Sequence, residues 1–223
     1  MKLIVHEFIS LDGVMQSPGS PTEDPSDGFD RGGWQVPFTG DAAFGRIVGG
    51  WFDRADEFLL GRSTYGMMHR FWSRVTDPGD VVATKVNGLP KHVVSSTLTD
   101  PAWRNTSVIS TDVVEAVRTL KGRPGRELQV HGSRRLVRTL HDAGLIDEYR
   151  LMMFPVVIGT GKRLFDAGSA PSGFAYVDGE VTGTGTVHLV LRPAALKIGE
   201  HVVEGGRDIP EAADWRPCRN EMG

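Results

Sequence analysis

The chain has 223 residues, with 25 Lys and Arg against 28 Asp and Glu, and a formal net charge of −3. This length fits one large domain or two small ones, and so small a charge argues against a general nucleic-acid or membrane-surface binder. The single cysteine, Cys218, rules out an internal disulfide and a cysteine-rich metal site, so we expect a cytoplasmic protein. No apolar run reaches the roughly 20 residues of a membrane-spanning helix, and the N-terminus does not resemble a signal peptide.

The first half of the chain alternates predicted strands and helices. A β-branched, apolar stretch over residues 3–9 predicts a strand, and the Pro- and Gly-rich residues 17–39 predict a functional or partly disordered loop. Asp41 can cap a helix over residues 42–52, whose apolar residues fall at helical spacing. The same patterns predict further strands over residues 56–60, 91–95 and 108–110, and a short helix over residues 64–71.

The second half continues the alternation and ends in a predicted hairpin. Asp112 can cap a helix carrying Val113, Val117 and Leu120 on one face, and Gly144 can end the next helix in a left-handed conformation. The remaining predicted elements are strands over residues 128–131 and 149–158, a helix over 133–143, and an antiparallel hairpin of 174–181 with 186–191. We therefore predict one α/β domain with a mixed sheet over residues 1–192, and a polar, partly disordered tail over 193–223.

Two strand-to-helix junctions share one arrangement that suits a phosphate. In each, a strand ends, a glycine allows a tight turn, and hydroxyl and basic residues open a helix. The free N–H groups and positive dipole of a helix N-terminus favour an anion. Alternatively, the hydroxyls only cap the helices and the arginines reach surface carboxylates. The candidate residues are Gly61, Arg62, Ser63 and Thr64 at the first junction, and Gly132, Ser133 and Arg134 at the second.

Two further turns follow predicted strands. Ser95, Ser96 and Thr97 offer three hydroxyls to a phosphate or ribose, although the same residues suit an ordinary polar turn. Gly159 and Gly161 would let the backbone approach a ligand closely after a long strand. Neither a P-loop nor a GxGxxG dinucleotide fingerprint is present.

The exit of the first strand carries a candidate catalytic carboxylate. Asp12 follows the strand at the end where open α/β sheets bind ligands, and it could orient a substrate or relay a proton; a plain Asp–Gly turn is the alternative. Trp34, Trp51 and Trp72 are candidates for a pocket that holds a flat heterocycle, although aromatic residues at helical spacing are more often core, and Tyr65 is a further candidate for the substrate pocket. The seven histidines lack metal-ligand spacing, so we predict no metal site.

Five motifs in this order resemble the dihydrofolate reductase-like family typified by the C-terminal, RibD-type reductase domain of bacterial riboflavin synthesis. They are Ser-Leu-Asp-Gly at 10–13, Leu-Gly-Arg-Ser-Thr-Tyr at 60–65, His-Gly-Ser at 131–133, Gly-Leu-Ile-Asp-Glu-Tyr at 144–149, and the stretch from Pro155 to Phe165. The resemblance covers residues 2–191. It implies a three-layer α/β fold in which helices flank a mixed, mostly parallel sheet of about eight strands, together with a homodimer and NADPH as hydride donor.

The resemblance also distributes roles among the candidate residues. It assigns the turns after Gly61 and Gly132 to the cofactor phosphates, Ser95 and Ser96 to the 2′-phosphate region, and Asp12 to the neighbourhood of the nicotinamide and substrate. It implies an NADPH-dependent reductase acting on a small heterocycle or a C=N or C=O group, similar to the uracil reductase of riboflavin synthesis or to dihydrofolate reductase. A nucleotide-binding regulatory module without turnover, or a phosphate-ester-binding enzyme without redox chemistry, remains as an alternative.

Overall fold

The computed structural model describes residues 1–214 and contains an eight-stranded sheet in the order β4-β3-β2-β5-β1-β6-β8-β7. The first six strands in this order are mutually parallel, whereas β8 runs antiparallel to both β6 and β7. The strands of this sheet are β1 Lys2–Ser10, β2 Ala55–Gly61, β3 Lys91–Val94, β4 Thr106–Ile109, β5 Glu127–His131, β6 Glu148–Phe154, β7 Gly173–Val181 and β8 Val187–Ala194. The predicted mixed, mostly parallel sheet with an antiparallel hairpin is confirmed.

Five helices cover the two faces of this sheet. They are α1 Ala42–Arg54, α2 Arg62–Trp72, α3 Val81–Gly88, α4 Val113–Lys121 and α5 Arg134–Asp142. Apolar residues of α4 and α5 pack with Leu3 and Val5 of β1 on one face, and those of α1, α2 and α3 form a second core on the other. Successive β1 side chains point to opposite faces, so one strand supplies both cores. None of the helices in residues 1–214 is long and apolar enough to cross a membrane.

Several element ends differ from the sequence prediction. Asp41 caps α1 as predicted, accepting a hydrogen bond from the Ala43 N–H at 2.7 Å. Asp112 does not cap α4 with its side chain, because its backbone is left-handed (φ 47°). Strand β6 ends at Phe154 rather than at residue 158, since the following Pro155 has no N–H for the ladder. Helix α3 was not predicted, although Asp80 caps it through the Ala83 N–H.

The C-terminal part of the described chain forms a second, two-stranded sheet. Strands β9 Lys197–Glu204 and β10 Arg207–Asp214 pair antiparallel across Gly205 and Gly206, both of which have positive φ. A Gly-Gly pair favours the tight turns that join such strands. The predicted polar, partly disordered tail is therefore wrong for residues 197–214, which are polar but paired. Residues 215–223 of that tail lie outside the described residues.

Candidate active site

A cleft of about 1470 Å³ opens at the carboxyl ends of the parallel strands. Its walls come from β1, α1, α2, the β5–α5 junction and the loop over residues 15–27, with Lys162 at one side. Ligands of open α/β sheets bind at this end of the sheet, because strand ends and helix starts converge there. The cleft is large enough for a dinucleotide together with a small second molecule.

The N-termini of α2 and α5 meet at this cleft. The Gly61 N–H donates to Ser133 Oγ at 2.8 Å, and Ser133 Oγ donates to Thr64 Oγ1 at 2.9 Å. Neither helix is capped by a side chain, so the alternative that the hydroxyls of Ser63, Thr64 and Ser133 only cap these helices is not what the structure shows. Helix α2 begins earlier, at Arg62, and Ser133 instead joins the two junctions. The first-turn N–H groups of both helices, which have no intrahelical acceptor, remain available to a ligand.

Gly132 lies where the β5–α5 junction packs against the Thr64 side chain of the β2–α2 junction. Its backbone is left-handed (φ 61°), and a Cβ built on it would lie 3.1 Å from Thr64 Cγ2 and 3.2 Å from Thr64 Oγ1. Both observations favour glycine, because an L side chain would be strained and crowded at the same time. Gly61 is similarly tight, since its Cβ would lie 3.0 Å from Ser133 Oγ.

Arginines at the two junctions differ in their availability. Arg62 and Arg135 line the cleft, are exposed, and make no ion pair within residues 1–214. Arg134 also lines the cleft, but its guanidinium pairs with Asp166 at 2.5 Å. For Arg134, the structure therefore shows the alternative from the sequence analysis, in which the arginine pairs with a carboxylate of the protein. Of the three arginines at these junctions, Arg62 and Arg135 therefore have guanidinium groups that are free, within the described part of the chain, to contact a phosphate.

The turn after β3 lies beyond Val94, which lines the cleft. Ser95 is buried, and its Oγ accepts hydrogen bonds from the N–H groups of Thr97 at 3.2 Å and Leu98 at 3.0 Å. Ser96 and Thr97 are exposed. Ser95 thus builds the turn and Ser96 presents its hydroxyl to solvent; their assignment to the cofactor stays a prediction.

Asp12 joins the exit of β1 to the turn after β6. Its carboxylate accepts hydrogen bonds from Ser10 Oγ at 2.6 Å and from the N–H groups of Ile158 at 3.0 Å and Gly159 at 2.8 Å, and pairs with Arg163 at 3.2 Å. Desolvation raises the pKa of this carboxyl, but the hydrogen bonds outweigh it and hold the pKa well below its usual range. A carboxylate with this many donors is suited to fix the position of the turn, and its low pKa makes it a poor acceptor for a proton.

We expect Asp12→Asn to lower the melting temperature, because the amide cannot accept all of these donors and leaves Arg163 unpaired. Hydrogen bonds to a charged group contribute about 1.5–3 kcal/mol. Thermal unfolding of the variant and the wild type measures this. A variant that melts like the wild type but turns over about 10²–10⁴-fold more slowly would instead support the predicted catalytic role.

The glycines of the turn after β6 serve this packing. The Gly159 N–H is bound to Asp12, and a Cβ on Gly161 would lie 2.8 Å from the Phe29 ring and 3.0 Å from Val14 Cγ1. Neither glycine lines the large cleft. Gly161 is needed because the turn abuts Phe29, so the prediction that both glycines contact a cofactor has no support from their positions.

The loop over residues 17–39 forms one wall of the cleft. It contains two short 3-10 turns, at residues 26–28 and 36–38. Trp34 is buried and donates from Nε1 to the Gln16 carbonyl at 2.9 Å, while Asp24 pairs with Lys162 at 2.7 Å. The structure places Trp34 in the core against Phe154, and not in the predicted substrate pocket.

Tyr65 is likewise a core residue. It is 3% exposed, and its hydroxyl accepts a hydrogen bond from the Trp103 N–H at 2.9 Å. Its ring packs near Trp103 and His69, away from the cleft lining. The predicted substrate-pocket role of Tyr65 therefore does not match its position. Two other predicted pocket residues, Trp51 and Trp72, do line the cleft, and Phe8, Phe44 and Phe52 are further aromatic residues of its lining.

Three polar residues of the cleft floor were missed by the sequence reasoning. His6 and Glu7 of β1 and His131 of β5 all line the cleft. Burial lowers the pKa of His131 to about 3, and burial together with the neighbouring His131 lowers that of His6. Burial raises the pKa of Glu7 well above its usual range. The sequence could have indicated these residues, because each is a polar residue in a predicted strand that also carries apolar residues, and burial of a polar group without a partner costs free energy.

The RibD C-terminal domain model matches residues 1–188 of the chain. The chain belongs to this family. This match confirms the resemblance that was inferred from the five sequence motifs.

A curated relative of this RibD C-terminal domain is the uncharacterized protein YyaP of Bacillus subtilis (strain 168). The two are 30% identical over 115 residues, which cover 51% of this chain and 61% of YyaP. The alignment thus spans less than two thirds of YyaP. YyaP carries no assigned activity that could be transferred.

Three solved structures share the fold of this RibD C-terminal domain. A Shewanella sp. PV-4 protein assigned to riboflavin biosynthesis has a TM-score of 0.62 at 20% identity, covering 87% of this chain and 99% of that one. A pyrimidine reductase-like protein of Corynebacterium diphtheriae has a TM-score of 0.58 at 13% sequence identity, and the match covers 86% of this chain and 92% of that one. The deaminase/5-amino-6-(5-phosphoribosylamino)uracil reductase of Thermotoga maritima has a TM-score of 0.56 at 15% identity, and the match covers 86% of this chain and 56% of that one. At these identities the likeness concerns the fold.

Proposed function

We propose that this protein is an NADPH-dependent reductase that transfers a hydride to a small heterocycle or to a C=N or C=O group. The observation that carries the proposal is the meeting of two uncapped helix N-termini, linked through Ser133, at the cleft. Such paired N-termini offer converging N–H donors to a diphosphate. Membership of the RibD C-terminal domain family supports the reductase assignment.

The residues present fit a dinucleotide. Gly132, which has no side chain, and the N–H groups that open α2 and α5 would hold the diphosphate, and Arg62 and Arg135 would neutralise its charge. Bound NADPH supplies the hydride, so the protein contributes binding, orientation and electrostatics. The loop wall around Asp24, tied to Lys162, excludes water from one side of the cleft.

We expect NADPH to bind more tightly than NADH because of its additional phosphate, and Arg62→Ala to weaken the binding of both cofactors because Arg62 lies at the site of the diphosphate that they share. A charge-assisted contact to a phosphate contributes about 1.5–3 kcal/mol, or roughly tenfold or more in affinity. Equilibrium titration of both cofactors with the wild type and the variant measures this. Arg118→Ala, which removes the same charge from an exposed position of α4 that does not line the cleft, is the control and should change neither affinity.

Equal affinity of the wild type for NADPH and NADH would contradict the cofactor assignment. Tight NADPH binding without NADPH consumption, across a panel of pteridines, pyrimidines and imines, would favour the alternative of a nucleotide-binding module. We also propose, from the family resemblance, that the protein is a homodimer, which sedimentation of the free and NADPH-loaded protein tests.

A further inference from the structure

A chain of polar side chains runs under the cleft along one face of β5. Glu127, Gln129 and His131 alternate along the strand and so share a face. Gln129 Nε2 lies 2.7 Å from Glu127 Oε2, and Gln129 Oε1 lies 3.1 Å from His131 Nε2. The chain therefore connects a buried carboxylate at the far end of the sheet to an imidazole in the cleft.

The hydrogen-bonding role of each of these side chains follows from its neighbour, beginning with Glu127 and ending with His131. Arg150 donates to Glu127 at 2.8 and 3.2 Å, so the Glu127 carboxylate is an acceptor. The Gln129 amide also lies 2.7 Å from the Trp51 carbonyl, which can only accept. Its NH₂ group must face these two acceptors, and its oxygen must face His131.

This arrangement determines the tautomer of His131. Because Gln129 Oε1 is an acceptor, the His131 nitrogen that faces it, Nε2, carries the proton. A neutral imidazole has one N–H and one lone pair, so Nδ1 is left as an acceptor. Nδ1 has no hydrogen-bond partner among the described residues, and the ring is partly exposed in the cleft.

Stacked rings hold His131 in this position. Phe52 lies on one face, with ring centroids 4.7 Å apart, and His6 lies on the other at 5.0 Å, both nearly parallel to it. Trp51 packs against His6 at 4.7 Å. Both ring nitrogens of His6 are buried without a partner among residues 1–214. Because the two faces of the His131 ring are covered, a ligand reaches the imidazole at its edge, where Nδ1 is the acceptor.

We propose that His131 selects the substrate, its Nδ1 accepting a hydrogen bond from a ring N–H or amino group of a planar heterocycle, with Gln129 and Glu127 as positioning residues that fix the tautomer. This inference rests on the proposed function and names its substrate class. Heterocycles that carry an N–H donor beside their reducible bond fit the site, whereas fully alkylated ones leave Nδ1 unpaired in a desolvated place. Leaving a buried polar group without a partner is what makes such discrimination large.

The first test is independent of substrate and cofactor. Heteronuclear NMR of nitrogen-labelled histidine in the free protein should show His131 protonated on Nε2 and unprotonated on Nδ1. Gln129→Met, which keeps the length of the side chain but removes the amide, should give a mixture of tautomers. Protonation of Nδ1 in the wild type, or an unchanged tautomer in Gln129→Met, would overturn the proposal.

The second test uses a matched pair of ligands with the NADPH-loaded protein. Lumazine has two ring N–H groups, and its N,N′-dimethyl derivative has the same ring system without them. We expect lumazine to bind at least about tenfold more tightly than the dimethyl compound, the effect of one unpaired polar group. His131→Phe should bring the ratio close to one, whereas His201→Phe, on the exposed β9–β10 hairpin, should leave it unchanged.

The outcomes separate this inference from the proposed function. Equal affinity for the two ligands, no lumazine binding by the NADPH-loaded protein, or an undiminished ratio in His131→Phe would each overturn the role of His131 while leaving the cofactor site intact. Failure of NADPH to bind would overturn the reductase proposal, and the tautomer measurement would then decide the arrangement of His131 by itself.

Discussion

Gly132→Val is expected to abolish NADPH binding. The valine would adopt a left-handed backbone (φ 61°), and its Cβ would press on Thr64 at the contact that joins α2 to α5. A branched side chain there also fills the space that the diphosphate requires. The backbone strain costs about 1–3 kcal/mol, which a domain of this size can tolerate. Cofactor titration, together with a thermal melt to establish folding, measures the effect.

Gly144→Val separates backbone strain from crowding at the cleft. Gly144 has nearly the same φ of 63°, but a Cβ built on it meets no atom within 4 Å. We expect this variant to lose a comparable amount of stability and to bind NADPH as the wild type does. If a folded Gly132→Val bound NADPH normally, the cofactor site would have to lie elsewhere.

The largest loss of stability is expected from Arg150→Met. Arg150 pairs with Glu127 and Glu148, each at 2.8 Å, and the two glutamate side chains are only 8% and 7% exposed. The variant would leave two buried carboxylates near each other, and the only arginines of residues 1–214 still paired with them would be the half-exposed Arg54, 3.5 Å from Glu127, and Arg192, 3.4 Å from Glu148. Removing one partner of a buried ion pair costs about 3–5 kcal/mol, a large fraction of the 5–15 kcal/mol typical of a folded domain.

Urea unfolding of Arg150→Met should therefore show a strongly lowered midpoint. Arg126→Met is the matched control, because Arg126 pairs with Asp56 at 3.0 Å but is itself 59% exposed. Exposed pairs contribute about 0–1 kcal/mol, so this midpoint should move little. Equal shifts in the two variants would contradict the view that burial of Glu127 and Glu148 makes Arg150 important.

Local signals identified most of the parallel strands and both junctions. The stretches ending at Gly61 and Gly132 were recognisable because a β-branched or apolar run, a glycine and a polar helix start lie within a few residues. The Gly-Gly pair at 205–206 carried an equally local hairpin signal. It was missed because β9 and β10 lack the apolar alternation expected of a half-buried strand.

Contacts between distant residues could not be predicted in this way. Ser133 joins Gly61 across 72 positions, and Asp12 meets Ile158 across 146. A cap was the local expectation for Ser133 and a catalytic role for Asp12, because the partners that engage each side chain are visible only after the strands are ordered. The pairing of His6 with His131 depends on the register of β1 against β5, which no short sequence pattern encodes.

The central position of β1 has a consequence for synthesis of the chain. Strand β1 is synthesised before its neighbours in the sheet, β5 and β6, which begin only at Glu127 and Glu148. Its apolar residues Leu3, Ile4 and Val5 therefore emerge long before the strands that will bury them. Pairing of β1 must await synthesis of the chain beyond Glu127, and pairings of such high contact order form slowly. During that interval β1 is a natural target for chaperones and a site for aggregation of nascent chains.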